Sequence, residues 1–147
     1  MKKLIFKVLG LSILFFLNSC GSSDNQFELI GNADVSDGTM IYVLQADQNN
    51  QPYIKDSTSV QSNSFKFKGV SSTPQISYIQ VEGVNGYVLA ILENGDIKAD
   101  IDKDDISNSK VYGTKSNDDF IKYKSETKSL VDVMNNISSE AQNAIMS

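Results

Sequence analysis

From Phe27 to about Gly113 the sequence is a series of short extended segments separated by clusters of turn-forming residues, which restricts it to a fold of many short strands. Phe27-Glu28-Leu29-Ile30 begins the first, and Asp34-Val35-Ser36-Asp37-Gly38 ends it. Thr39 to Ala46 is apolar on both faces through Met40-Ile41-Tyr42-Val43-Leu44, as expected of a strand interior to a sheet. Gln48-Asn49-Asn50-Gln51-Pro52 breaks it, and Tyr53 to Val60 follows. After Ser62-Asn63, Ser64-Phe65-Lys66-Phe67-Lys68-Gly69 alternates cleanly, with both phenylalanines inward and both lysines toward water. Ile76 to Val81 is turned by Gly83-Val84-Asn85-Gly86 into Tyr87-Val88-Leu89-Ala90-Ile91-Leu92.

Asn94-Gly95 then stands between two apolar runs. That dipeptide favours a type I′ turn, because both of its positions need positive φ, and it predicts a hairpin whose return strand is Asp96 to Asp102. Ile97, Ala99 and Ile101 would face inward; Lys98, Asp100 and Asp102 would face outward. Lys110-Val111-Tyr112-Gly113 completes about eight strands. The expected fold is mainly β: an antiparallel sandwich or barrel-like module with Phe67 and Ile91 as candidate core positions.

After Gly113 the period changes. Phe120, Tyr123, Thr127, Leu130, Val131, Met134, Ile137, Ala141, Ala144 and Ile145 recur every three or four residues, the spacing of one face of an amphipathic helix. Ser116 or Asn117 can cap its start, and Asp118 and Asp119 suit the positive end of the helix dipole. Packing against the sheet is the expectation for such a stripe. An interface for an envelope protein partner or a following domain is the alternative.

The chain opens differently. Lys2 and Lys3 precede Val8 to Leu17, an apolar run interrupted only by Gly10 and Ser12, which fits a secretory signal. As a helix that run would rise about 15 Å, half of the roughly 30 Å hydrocarbon core. Leu17-Asn18-Ser19-Cys20 resembles the lipobox of bacterial lipoproteins, which implies acylation of the Cys20 thiol and cleavage before it. Two buried acyl chains already anchor a protein stably. The expected organisation is therefore a signal peptide at 1–19, a lipidated cysteine and tether at 20–26, an all-β domain at 27–114, and an amphipathic helix or linker at 115–147.

Removal of residues 1–19 leaves 128 residues carrying 10 lysines against 18 acidic groups, a net charge of −8. That balance argues against nucleic acid as a partner. The chain has no His, Arg or Trp, and Cys20 is its one cysteine. Histidine-based catalytic relays and imidazole metal ligands are excluded, and an acylated Cys20 leaves no thiol for redox chemistry. No phosphate-binding glycine loop or nucleophile elbow occurs. The expectation is a protein without catalytic residues, metal or cofactor.

Phe27-x-Leu29-x-Gly31, Asp37-Gly38-x-x-Ile41-Tyr42-x-Leu44 and Ile54-x-Asp56-Ser57-Thr58 resemble, in order and spacing, a domain of unknown function in envelope lipoproteins of Gram-negative bacteria. Ser64-Phe65-x-Phe67-x-Gly69, Leu92-Glu93-Asn94-Gly95-x-Ile97 and Val111-x-Gly113-Thr114-x-x-Asn117 continue the match. The resemblance implies an all-β domain that, in the family, precedes a helical linker and a thioredoxin-like domain with a C-x-x-C. This sequence contains no C-x-x-C, so no catalytic residue carries over. The resemblance also implies the Gram-negative cell envelope, with the outer membrane favoured over the inner.

Asp100-Ile101-Asp102-Lys103-Asp104-Asp105 spaces carboxylates as calcium loops do, but Asp105 and Val111 stand where an EF-hand needs Gly and Glu. A solvated strand face running into a polar turn is the expectation. Asp56-Ser57-Thr58 also matches a short bacterial O-glycosylation pattern, and Asn136-Ile137-Ser138 is an N-glycosylation sequon in form only. The six tyrosines read as half-buried strand residues, with a sugar-binding face as the alternative. The resulting functional expectation is a membrane-anchored envelope lipoprotein with a non-catalytic binding or scaffolding module. Its rivals are the leading part of a truncated thiol–disulfide oxidoreductase and a glycan or peptide binder.

Overall fold

The structure, a computed structural model, describes residues 25–146. Cys20 and the signal segment lie outside the described residues. Eight strands form two four-stranded sheets. They are β1 (Gln26–Ala33), β2 (Met40–Ala46), β3 (Pro52–Ser59), β4 (Ser64–Val70), β5 (Gln75–Val81), β6 (Val88–Leu92), β7 (Gly95–Ile101) and β8 (Lys110–Tyr112). The first sheet runs in the order β4-β1-β7-β8 and the second in the order β3-β2-β5-β6. A single α-helix among the described residues, α1 (Lys115–Met146), follows β8. The expected β-sandwich with a C-terminal helix is what the chain forms.

The period-two pattern places the core. Leu29, Ile41, Ile79, Leu92 and Ile97 are essentially inaccessible to solvent, and Phe65 and Phe67 join them from β4. Ile97, Ala99 and Ile101 face inward from β7 as the alternation required. Ile91, a candidate core position in the sequence, points the other way: Val88, Ala90 and Leu92 take the inner face of β6.

Two glycines of β1 and β4 seat aromatic rings. Gly31 is the cross-strand partner of Phe65, and Gly69 that of Phe27. A Cβ on Gly31 would fall 2.0 Å from Phe65 Cζ, and one on Gly69 would fall 2.7 Å from Phe27 Cε1. The rings therefore lie across the bare backbone, and each phenylalanine fills the space that its partner glycine leaves open.

The hairpin expected at Asn94-Gly95 does not form. β6 pairs with β5 in the second sheet, whereas β7 pairs with β1 and β8 in the first. The chain thus crosses between sheets at this dipeptide. Only Gly95 takes positive φ, at 121°. The β1–β7 pair is also parallel, a departure from an all-antiparallel arrangement. The two-residue turn with positive φ at both positions occurs instead at Ser62 and Asn63, at 50° and 61°. Backbone bonds between Gln61 and Ser64 close it on both sides.

The start of α1 is also capped differently from expectation. Ser116 and Asn117 lie inside the first turn, and the Glu93 carboxylate reaches across from the β6–β7 crossover to cap it. It accepts the Ser116 N–H at 2.8 Å and the Ser116 hydroxyl at 2.7 Å. Asp118 accepts the Gly113 N–H at 2.9 Å. An anion at a helix N-terminus meets both unpaired N–H groups and the positive end of the dipole.

Contrary to expectation, the stripe on α1 does not pack on the sheets along its length. Phe120 and Ile121 are half-buried against β6 and β8, and from Lys122 to Glu140 every residue is exposed. Leu130, Met134 and Ile137 each keep about 60% of their surface in solvent. The sheets end where the third turn of the helix begins, so among the described residues nothing lies beneath the remaining turns for the stripe to cover.

Candidate functional site

The outer faces of the two sheets differ in chemistry. On the first sheet, Glu28, Lys66, Lys68, Asp96, Lys98 and Asp100 point outward. Glu28 pairs with both Lys66 and Lys68, and these hydrogen-bonded lysines hold its carboxyl below the usual range. This is an ordinary solvated face.

The second sheet carries apolar side chains on the corresponding face. Register aligns Ile54, Leu44, Tyr78 and Leu89 in one row across β3, β2, β5 and β6. Ile76 and Ile91 form the next row, and Tyr42 flanks the first on β2. Ile76 is 61% exposed and Ile54 58%. Tyr87 packs edge-on against Tyr78, ring centroids 6.4 Å apart, and extends the patch beyond β6. No row of it contains a charged side chain. Contiguous apolar surface rimmed by polar residues is characteristic of interaction sites, because leaving it in water is unfavourable.

The signal for this face was present in the sequence. Met40 to Leu44 and Val88 to Leu92 are continuous apolar runs, not alternating ones. β2 is interior to its sheet, as that pattern implied, but its outer face is open to solvent at Tyr42 and Leu44 only in part, and Ile54 and Ile76 beside it are exposed. Periodicity records that both faces are apolar; it does not record that one of them has no cover among the described residues.

The remaining candidates are separated by the fold. Asp102 accepts the backbone N–H groups of Asp104 and Asp105, Asp104 pairs with Lys103, and Asp105 caps the short 3-10 turn at Ile106–Asn108. The Asp105 N–H, aided by that of Asp104, holds the Asp102 carboxyl below its usual range despite some desolvation. These carboxylates shape their own loop, and no three metal-ligating side chains converge among the described residues. Asp56 and Ser57 are exposed on the edge strand β3, with Thr58 half-buried. Ser138 of the sequon donates back to the Met134 carbonyl at 2.9 Å on α1.

The tyrosines do not gather into one site. Tyr42, Tyr78 and Tyr87 belong to the apolar face, whereas the Tyr53 hydroxyl donates to buried Gln45 at 3.1 Å. Tyr112 lies on β8 of the other sheet, and Tyr123 on α1. Every buried side-chain N or O atom among the described residues has a hydrogen-bond partner. No helix among them is long and apolar enough to cross a membrane.

No curated protein and no solved structure matches the chain. A family model does match it, over residues 27–120, which spans all eight strands, the crossover at Glu93 and the first turns of α1. With well over half its length matched, the chain belongs to the family described as Domain of unknown function (DUF4369).

Proposed function

We propose that this protein is a membrane-anchored module of the Gram-negative envelope that binds or scaffolds a protein partner and performs no catalysis. The observation that carries the reading is the uncharged apolar face of the second sheet, open at Ile54, Ile76, Tyr78 and Tyr87. A partner for it contributes apolar side chains and needs no compensating charge. The absence of His and Arg from the sequence, and its single cysteine in a lipobox-like setting, support a binding role in preference to chemistry. Acylation of Cys20 would supply the anchor, and the small polar residues Gly21 to Asn25 would let the body stand off the lipid surface.

A photo-crosslinking side chain at Ile76 tests the binding face in cells, with the same group at Lys98 on the charged sheet as control. A discrete adduct from position 76 and none from 98 is expected; equal yields would remove the face from consideration. Membrane fractionation of Cys20→Ser tests the anchor separately. The variant should leave the membrane fraction, and continued retention would contradict lipidation.

A further inference from the structure

We infer that Asn85 is a site of spontaneous deamidation, through which the chain places a carboxylate beside the apolar face of the second sheet. The chemistry at Asn85 stands on its own geometry; its effect on binding rests on the reading above and deepens it.

Asn85 and Gly86 lie in the connection between β5 and β6, outside both strands, and both are exposed. Deamidation requires the backbone nitrogen of the following residue to reach the side-chain carbonyl carbon of the asparagine. A side chain on that following residue hinders the approach, and a hydrogen bond from its N–H holds the nitrogen back. Neither obstacle is present at this position. Gly86 carries no Cβ, and neither its N–H nor the Asn85 side chain is hydrogen-bonded among the described residues. The fold also fixes the glycine: its φ is 100°, and a Cβ there would fall 2.8 Å from Ile106 Cγ2. It makes no such demand for the asparagine, since Asn85 is not in the left-handed region.

The reaction balances with solvent water as its one co-reactant. The Gly86 nitrogen loses its proton and bonds to Asn85 Cγ, the Cγ–Nδ2 bond breaks, and ammonia leaves. Water then opens the resulting five-membered imide at one of its two carbonyls. Opening at Cγ gives aspartate; opening at the backbone carbonyl gives an isoaspartyl linkage, with the main chain rerouted through Cβ and Cγ. No electrons are transferred in either branch.

The product sits where charge matters. Tyr87, two residues on, is 57% exposed and packs edge-on against Tyr78 at the end of the uncharged rows. A carboxylate at position 85 borders that contact, and apolar contacts disfavour desolvated charge. Asn94 supplies an internal comparison. It too is exposed and precedes a glycine, but Gly95 belongs to β7 and is held in register with Phe27 of β1. Ring closure at Asn94 has to open the start of that ladder.

Incubating the full chain in neutral and in mildly alkaline buffer, then cutting after lysine, tests the chemistry. The peptide 69–98 carries both asparagines, and its fragment masses report conversion at each. Asn85 should convert about tenfold faster than Asn94, the factor that one ladder hydrogen bond imposes. It should convert faster still in the alkaline buffer, because the attacking nitrogen must give up its proton. Conversion at Asn85 no faster than at Asn94 would overturn the inference. For the consequence, the adduct yield from the photo-crosslinker at Ile76 should be about threefold lower in Asn85→Asp than in Asn85→Gln, which keeps an uncharged amide. Equal yields would overturn the effect on the face. A parent chain that gives no adduct would fail the binding face alone, because the mass of the peptide reads the deamidation without any partner.

Discussion

The side-chain amide of Asn117 hydrogen-bonds both backbone groups of Ile91, accepting its N–H at 2.9 Å and donating to its carbonyl at 2.8 Å. Ile91 lies on β6, the edge strand of the second sheet, and those are the groups that a further strand would otherwise pair. One residue of α1 thus stands in for a neighbouring strand. A third bond, from Asn117 Nδ2 to Thr114 Oγ1 at 2.8 Å, fixes the amide's orientation. Exposed sheet edges invite unwanted pairing, and here the helix start closes one.

Asn117→Ala should therefore destabilise the β body although the residue belongs to the helix. Asn117 is 1% exposed, and its removal leaves an N–H and a carbonyl of Ile91 without partners. The expected loss is about 2–3 kcal/mol by urea unfolding. Asn117→Asp keeps the acceptor but sets a carboxylate against the Ile91 carbonyl, so it should do no better. A change below about 0.5 kcal/mol in either variant, the range of ordinary surface substitutions, would show that water replaces the amide without penalty.

Gly31→Ala should cost about 1–3 kcal/mol through overpacking, since its methyl would overlap the Phe65 ring. The backbone at Gly31 is not in the left-handed region, so the penalty is a contact effect and not a conformational one. A double-mutant cycle separates the two. With Phe65→Ala in the background, the Gly31→Ala penalty should nearly vanish; persistence of the full loss would place the cause elsewhere.

Phe67→Ala and Ile91→Ala should part company. Phe67 is 3% exposed in the centre of the sandwich, and its truncation should cost about 3–5 kcal/mol. Ile91 lies half-buried on the outer face, where a loss of about 1 kcal/mol is expected from the apolar area involved. Equal losses in denaturant unfolding would mean that the outer face of the second sheet is covered in the free protein.

The eight strands were legible because alternation and turn formers act within a few residues of themselves. Lys66 and Lys68 between Phe65 and Phe67 state their faces without reference to the rest of the chain. Strand partners were not legible in the same way. Asn94-Gly95 reports that the backbone bends there, but whether β7 returns beside β6 or joins β1 is decided by what the other sheet leaves unpaired. The helix stripe shows the same limit. Its spacing states that Leu130 and Met134 share a face, and nothing in that spacing states that the sheets end before reaching them. The apolar face of the second sheet was written in Met40 to Leu44, yet a run apolar on both sides reads alike whether its cover is in the chain or outside it.

Acid should weaken the junction between α1 and the sheets through Glu93. Partial burial pushes the Glu93 carboxyl up, but bonds from the Ser116 hydroxyl, the Thr114 hydroxyl and the Ser116 N–H, with the Lys115 charge nearby, outweigh it and hold the group below its ordinary 4.5. A carboxyl whose pKa is lower folded than unfolded stabilises the native state above the unfolded value, and loses that contribution as pH falls through the folded one. Stability should therefore be level above about pH 5 and decline below 4.5. Glu28 and Asp102, also held low, titrate in the same direction, so the parent curve alone does not isolate Glu93. The difference between the parent and Glu93→Gln does. The variant should be less stable by about 1–2 kcal/mol near neutral pH, from the lost charge-assisted bonds to Ser116, and the two should converge as the parent's carboxyl protonates. Parallel curves down to acid pH would show that the Glu93 charge contributes nothing to capping the helix.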